Sequence, residues 1–155
     1  MFNLKKLILF TFLISAIHPS LSQTIIQNRP FNYGLITVND NSSVRTMTIA
    51  TNGTITNNPV HITIFQDGET ARFSVTGFDA STQYSISIPD TTISYNGTGP
   101  QYFDIVGMTI APSVFITDTN GEGSFTVGST FRTSGNGSGY PQGSYTGNVL
   151  VTINN

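Results

Sequence analysis

The chain reads as an all-β protein, an antiparallel β-sandwich in one domain. Three observations predict this. Short β-leaning runs are separated by Gly and Asn along the whole chain, the pattern of many strands joined by tight turns. No segment after Gln23 carries a helical apolar period. Charged residues are only 9% of the 155, and Thr, Ser, Asn and Gly fill the polar positions. That length fits one domain.

The elements follow in order. Gln23 to Arg29 is a short lead-in. Pro30 to Val38 predicts a first strand, with Gly34 marking a bulge or close backbone approach. Val44 to Ala50 predicts a second strand, closed by the Asn52-Gly53 turn, and Val60 to Phe65 a third. Ala71 to Thr76 places Ala71, Phe73 and Val75 on one face. Tyr84 to Ile88 alternates and stops at Pro89, which cannot donate to a ladder. Thr92 to Tyr95 ends at Asn96-Gly97, and Tyr102 to Ile110 is longer, with Gly107 inside it. Val114 to Thr117 and Ser124 to Phe131 read as a hairpin across Asn120-Gly121. Thr133 to Gly143 is a Gly-rich loop, expected to be exposed and mobile. Gly143 to Asn155 predicts one regular closing strand, with Tyr145, Gly147, Val149, Val151 and Ile153 on its inner face. The expected core is Phe73, Val75, Ile86, Ile88, Phe125, Val127, Val149, Val151 and Ile153. The phenylalanines at 65, 73, 103, 125 and 131 read as core packing, and Tyr102 and Tyr140 are the candidates for an aromatic sugar platform.

The N-terminus predicts export. Lys5-Lys6 precedes an apolar run from Leu7 to Ile17, His18-Pro19 breaks it, and Ser20-Leu21-Ser22 presents small residues before Gln23. This is the layout of a cleavable signal over 1–22, leaving one domain over 23–155 that is secreted, with no later membrane span. Loss of the only two lysines, Lys5 and Lys6, takes the formal net charge from −2 to −4. A lysine-free acidic domain is a poor nucleic-acid partner. Cysteine is absent, which excludes disulfides and thiolate metal sites.

Catalytic chemistry finds no seat. His61 is the one histidine after the leader, and on the period-two pattern it points away from Ile62 and Ile64 into solvent. No serine stands in a G-x-S-x-G elbow; Ser138 has Asn136 where the first glycine belongs. The close acid pairs, Asp67 with Glu69 and Asp118 with Glu122, lie in turns, where Asp is favoured locally. Asp118, Asn120 and Glu122 space oxygens as part of a calcium loop does, and calcium there is the one cofactor considered; an ordinary Asn-Gly turn is the other reading. Asn41, Asn52, Asn96 and Asn136 each head an N-x-[ST] sequon. No catalytic or metal residue is assigned, and a small glycosidase or esterase is the least supported reading.

Phe31-Asn-Tyr-Gly34, Phe73-Ser-Val-Thr-Gly77, Tyr84-Ser-Ile-Ser-Ile-Pro89, Asn120-Gly-Glu-Gly-Ser-Phe-Thr-Val-Gly128 and Gly143-Ser-Tyr-Thr-Gly-Asn-Val-Leu-Val-Thr-Ile153 occur in that order. Together they resemble the exported bacterial domain of unknown function 4402 over nearly all of 23–155. That family is similar to immunoglobulin-like sandwiches and, in its closing G-x-Y-x-G strand, to spore-coat-U-type and fimbrial subunits. The resemblance implies a non-enzymatic structural subunit of the cell surface or extracellular space, pilus-like and self-assembling by strand addition. Its partners would be its own copies, other surface subunits and a periplasmic chaperone. Gln23, Thr24, Ile25 and Ile26 are then the candidate assembly strand, pairing in cis or in trans. The alternative is a monomeric binding module, an adhesin or glycan binder, with Asn136, Ser138 and Tyr140 of the loop 133–143 as its ligand residues.

Overall fold

The computed structural model describes residues 22–95 and 100–155. The leader over 1–21, the Asn96-Gly97 turn and the Asn96 sequon lie outside the described residues. The chain forms β1 (Thr24–Arg29), β2 (Leu35–Val38), β3 (Thr46–Ile49), β4 (Ile55–Asn57), β5 (Ile62–Gln66), β6 (Ala71–Thr76) and β7 (Gln83–Ser87). These are followed by β8 (Thr91–Tyr95), β9 (Tyr102–Ala111), β10 (Val114–Ile116), β11 (Gly123–Thr133), β12 (Tyr145–Thr146) and β13 (Thr152–Asn154). Every pairing between them is antiparallel, and no described residue is helical. The all-β class expected from composition is the class that forms.

The 11-residue β11 is the central strand. One of its edges pairs with β9 along most of its length. The other edge is shared: Gly123 to Val127 pairs with β6, and Ser129 to Arg132 pairs with β3. The handover falls at Gly128. A side chain there would come within 2.5 Å of the Ile49 carbonyl oxygen and 2.7 Å of the Thr51 nitrogen, so only glycine lets β3 run up to this edge. Opposite the handover β9 carries a bulge, because Gly128 faces Thr109 while Thr130 faces Val106. Gly107, at φ +58°, supplies the left-handed residue of that irregularity. A bulge bends its strand and sharpens the twist, so the large sheet β1-β6-β11-β9-β8-β12, with β3 and β4 branching from β11, curls on itself.

The curl makes two cores on one strand. Phe125 and Val127 of β11 pack with Ala71 and Val75 of β6 under the three-stranded sheet β10-β7-β13, which supplies Phe115, Tyr84 and Ile86. Phe131 of β11 packs with Met47, Ile49, Phe103 and Ile105 under the β2-β5 ribbon, which supplies Ile62. Phe31 and Met108 touch both clusters.

Several expected elements take another form. The closing strand is broken into β12, paired with β8, and β13, paired with β7. The chain crosses between sheets over 147–151, so Val149 is exposed rather than core, while Val151 and Ile153 are half-buried against the first cluster. Gly147 lies so close to β8 that a Cβ would sit 2.6 Å from Ile93 Cγ2. The Asp118–Glu122 turn closes, but β10 and β11 are no hairpin, since β10 joins β7 and β11 joins β6. The proposed first strand is ordered as β2 only from Leu35. Phe65 is 67% exposed: it is the extra residue of a β5 bulge, where Leu35 faces Gln66 and Ile36 faces Ile64.

Phe131 is 1% exposed and joins the branch strand β3 to β9. Phe131→Ala is expected to lower the unfolding free energy by about 3–5 kcal/mol. Phe65→Ser should change it by no more than about 0.5 kcal/mol. Urea unfolding of both variants checks the two values.

Candidate functional site

Three places gather the chain's polar and edge chemistry. The first is β1. Thr24, Ile25 and Ile26 of the candidate assembly strand lie in it, with Gln23 just before. The lead-in is a full strand, antiparallel to β6 within the same chain, with Ile25 opposite Val75 and Ile26 opposite Ser74. Five of its six residues are exposed, so backbone hydrogen bonds hold it more than packing does. Arg29 is its anchor. Its Nε donates to the Thr70 carbonyl at 2.7 Å, Nη2 donates to Thr70 Oγ1 at 2.5 Å, and Nη1 lies 3.6 Å from Glu69 Oε1. Glu69 therefore serves Arg29 and a backbone bridge to Asn32, not an acid pair with Asp67.

The second place is the Gly-rich loop. It is exposed as expected, but it is latched by Asn41, which the sequence shows only as the head of a sequon. Asn41 is 6% exposed. Its two amide hydrogens are shared among Ser134 Oγ at 3.1 Å, Asn136 Oδ1 at 3.1 Å and the Ser138 carbonyl at 2.8 Å. Its Oδ1 accepts from Gly135 N at 2.9 Å, and its carbonyl accepts from Gly137 N at 2.7 Å. Buried Gln101 accepts from Ser134 Oγ through Oε1 at 3.0 Å. Gly135, at φ +66°, lies where a Cβ would meet the Val44 nitrogen at 2.6 Å. Tyr140 stacks on Phe103 with centroids 4.4 Å apart, accepts from Ser134 N and donates to the Tyr102 carbonyl. One of its faces is thus covered by Phe103, while Tyr102 is exposed. Tyr145 lies between Tyr140 and Tyr95; burial, then those two neighbours, pushes its phenol pKa up. The structure brings Asn136, Ser138 and Tyr140 together, but as parts of this latch. The Asn41 sequon is closed, because the atom a glycan would take is buried and bonded, whereas Asn52 is exposed in its turn.

The third place is Asp40, Arg45 and His61. His61 is half-buried rather than solvent-facing, because β5 starts only at Ile62 and the turn before it folds back on Asp40. His61 Nδ1 lies 3.1 Å from Asp40 Oδ2, at an angle that makes no hydrogen bond, and Arg45 Nη2 bonds the same oxygen. The Ser42 backbone N–H, then its hydroxyl, then the Arg45 guanidinium hold the Asp40 carboxyl well below the usual carboxylate range. The cluster ties the turn at Asp40 to the residues just before β3 and β5. At the calcium candidate, Asp118 Oδ1 accepts from Asn120 N at 2.8 Å and Glu122 N at 2.9 Å, the bonding of an Asx turn.

The family model described as Domain of unknown function (DUF4402) matches residues 24–155, from the first residue of β1 to the end of the chain. The chain belongs to the DUF4402 family. No curated protein matches it, and no solved structure matches it. The DUF4402 match takes in both β1 and the latched loop.

Asn41→Ala takes from Gly135 N and the Ser138 carbonyl their Asn41 partner, and is expected to cost about 1–3 kcal/mol and open 134–143 to limited proteolysis. Asp40 has a folded pKa below its unfolded one, so its stabilisation is complete above about pH 4 and fades as pH falls through the lower folded value. Asp40→Asn should therefore flatten the acid limb of the melting temperature below about pH 4.

Proposed function

We propose that this DUF4402 chain is a secreted, non-enzymatic structural subunit of the cell surface that joins its copies by exchange of β1. One observation carries the reading: a complete six-residue edge strand at the start of the domain, docked on β6 through its backbone with its side chains largely in solvent. A strand held this way makes the same hydrogen bonds whether it comes from its own chain or from a neighbour. Pro30, directly after β1, lacks the N–H that would continue the ladder and gives the chain a place to turn away. The family match begins at Thr24, next to the expected cleavage after Ser22, which supports export. The two-layer packing of β7 and β10 over β6 and β11 supports an immunoglobulin-like sandwich with one layer curled. The likeness of the closing G-x-Y-x-G segment to spore-coat-U-type and fimbrial subunits points the same way.

The chain has no cysteine, so a disulfide trap reads the exchange directly. Ile26 and Ser74 are Cα partners, and both can take cysteine at the sheet surface. Oxidised Ile26→Cys/Ser74→Cys protein is expected to run as covalent ladders on a denaturing gel, with fibres in negative stain. Exclusive crosslinking within single chains, with a monodisperse monomer by light scattering, overturns the reading.

A further inference from the structure

Arg29 and Arg72 are direct Cα partners across β1 and β6. Like charges placed opposite one another on neighbouring strands repel. The pairing arises from a bulge: Gln27 faces Phe73 and Arg29 faces Arg72, so Asn28 is the extra residue. An unbulged ladder would set Asn28 against Arg72. Bulges re-aim side chains, and this one sets two of the chain's four arginines side by side.

Both arginines line a groove of about 810 Å³ on the outer face of the curled sheet. Ser74, Ser124 and Thr126 line it between β6 and β11, and Asn52 and Pro112 border it. Register places Thr126 beside Arg72 and Ser124 beside Ser74, giving a row of hydroxyls next to the cations. Arg29 is fixed by Thr70 and faces Glu69, which offsets one charge. The Arg72 guanidinium forms no ion pair among the described residues and is exposed. The groove is net positive on a chain of formal charge −2.

We infer that this groove binds a carboxylate-bearing polysaccharide, with Arg72 facing the carboxylate. A guanidinium offers the planar pair of donors that a carboxylate accepts. The hydroxyls and amides of the lining suit sugar hydroxyls, and the apolar Phe73, Ala111, Pro112 and Phe125 that also line it suit the C–H faces of sugar rings. Protein partners favour apolar anchors, and the exposed apolar side chains Leu35, Phe65, Ile116 and Leu150 all lie outside this lining. A groove spanning β1, β6 and β11 accepts an extended chain rather than a single small ion. The inference stands apart from strand exchange, since either copy's β1 completes the same groove.

The test is calorimetric titration of the chain from Gln23 to Asn155 with trigalacturonate, its methyl ester and a glutamate-rich hexapeptide. Trigalacturonate is expected to bind, about tenfold more tightly than the ester, and less tightly as salt rises. Arg72→Gln should weaken it about tenfold with a melting temperature no lower than before, because the Arg29–Arg72 repulsion is gone, and Arg72→Lys should restore only part of the loss. Arg72→Gln should leave the Ile26–Ser74 crosslinking pattern as it is, so the two readings fail separately. Equal affinity for the ester, indifference to Arg72→Gln, tighter binding of the hexapeptide, or no binding of trigalacturonate each overturns the inference. So does a concentration-dependent dimer that Arg72→Gln abolishes, because it gives the groove to a second copy.

Discussion

The structure depends on one strand serving two cores. β11 lends Phe125 and Val127 to one cluster and Phe131 to the other, and all three side chains point to the same face. A flat sheet would present that face to a single layer. Here the partner on one edge changes at Gly128, and the bulge at Gly107 bends the opposite edge. The two halves of the strand then face separate covers, the β10-β7-β13 sheet and the β2-β5 ribbon. Ser129, buried at the handover, is a polar residue on that face, and it bonds the Tyr33 hydroxyl. Burial pushes the Tyr33 phenol pKa up, so the pair stays neutral inside the seam where two cores meet.

Buried amide and hydroxyl groups close the ends of this arrangement. Asn41 and Gln101 do so beside Phe103, holding the loop after β11. At the other end Thr117 is 3% exposed; it donates to the Asp79 carbonyl at 2.5 Å and accepts from Thr82 N at 3.0 Å. A chain with few charges and no cysteine has limited means of fixing loops. Side-chain bonds to loop backbone serve that purpose, because each removes a polar group from water only where its partner is already placed.

Period-two alternation made the regular elements legible. Ala71, Phe73 and Val75, and Tyr84, Ile86 and Ile88, turn inward as their spacing indicates. The misreadings share one cause: alternation tells which side chains share a face, but not which strand lies alongside. The closing segment alternates from Tyr145 to Ile153, yet its two halves pair with strands of different sheets. Asn120-Gly121 turns the chain as a hairpin would, yet Phe115 and Phe125 enter the first cluster from opposite layers. Phe65 falls on the face opposite Ile62 and Ile64, and as the extra residue of a bulge it stays in solvent. Of the candidate sites, the edge strand was visible as a lead-in, and Asn136, Ser138 and Tyr140 were visible as a group. Asn41 was not, since a buried hub Asn and a turn Asn look alike in sequence, and the Arg29–Arg72 pairing depends on register, which no local pattern carries.

Register also decides how the chain uses its few cations. Arg45 bonds Asp40, Arg132 lies 3.6 Å from Asp104, and Arg29 lies 3.6 Å from Glu69. Each of these has a carboxylate neighbour within its own fold, which is the low-cost solution for a sheet surface. Arg72 departs from that solution, facing a second arginine with hydroxyls on its other side. A β1 ladder without the bulge would set Asn28 against Arg72 and lift the repulsion. What the pair does produce is a positive strip across β1 and β6, so that the edge strand of the sheet also lines the groove.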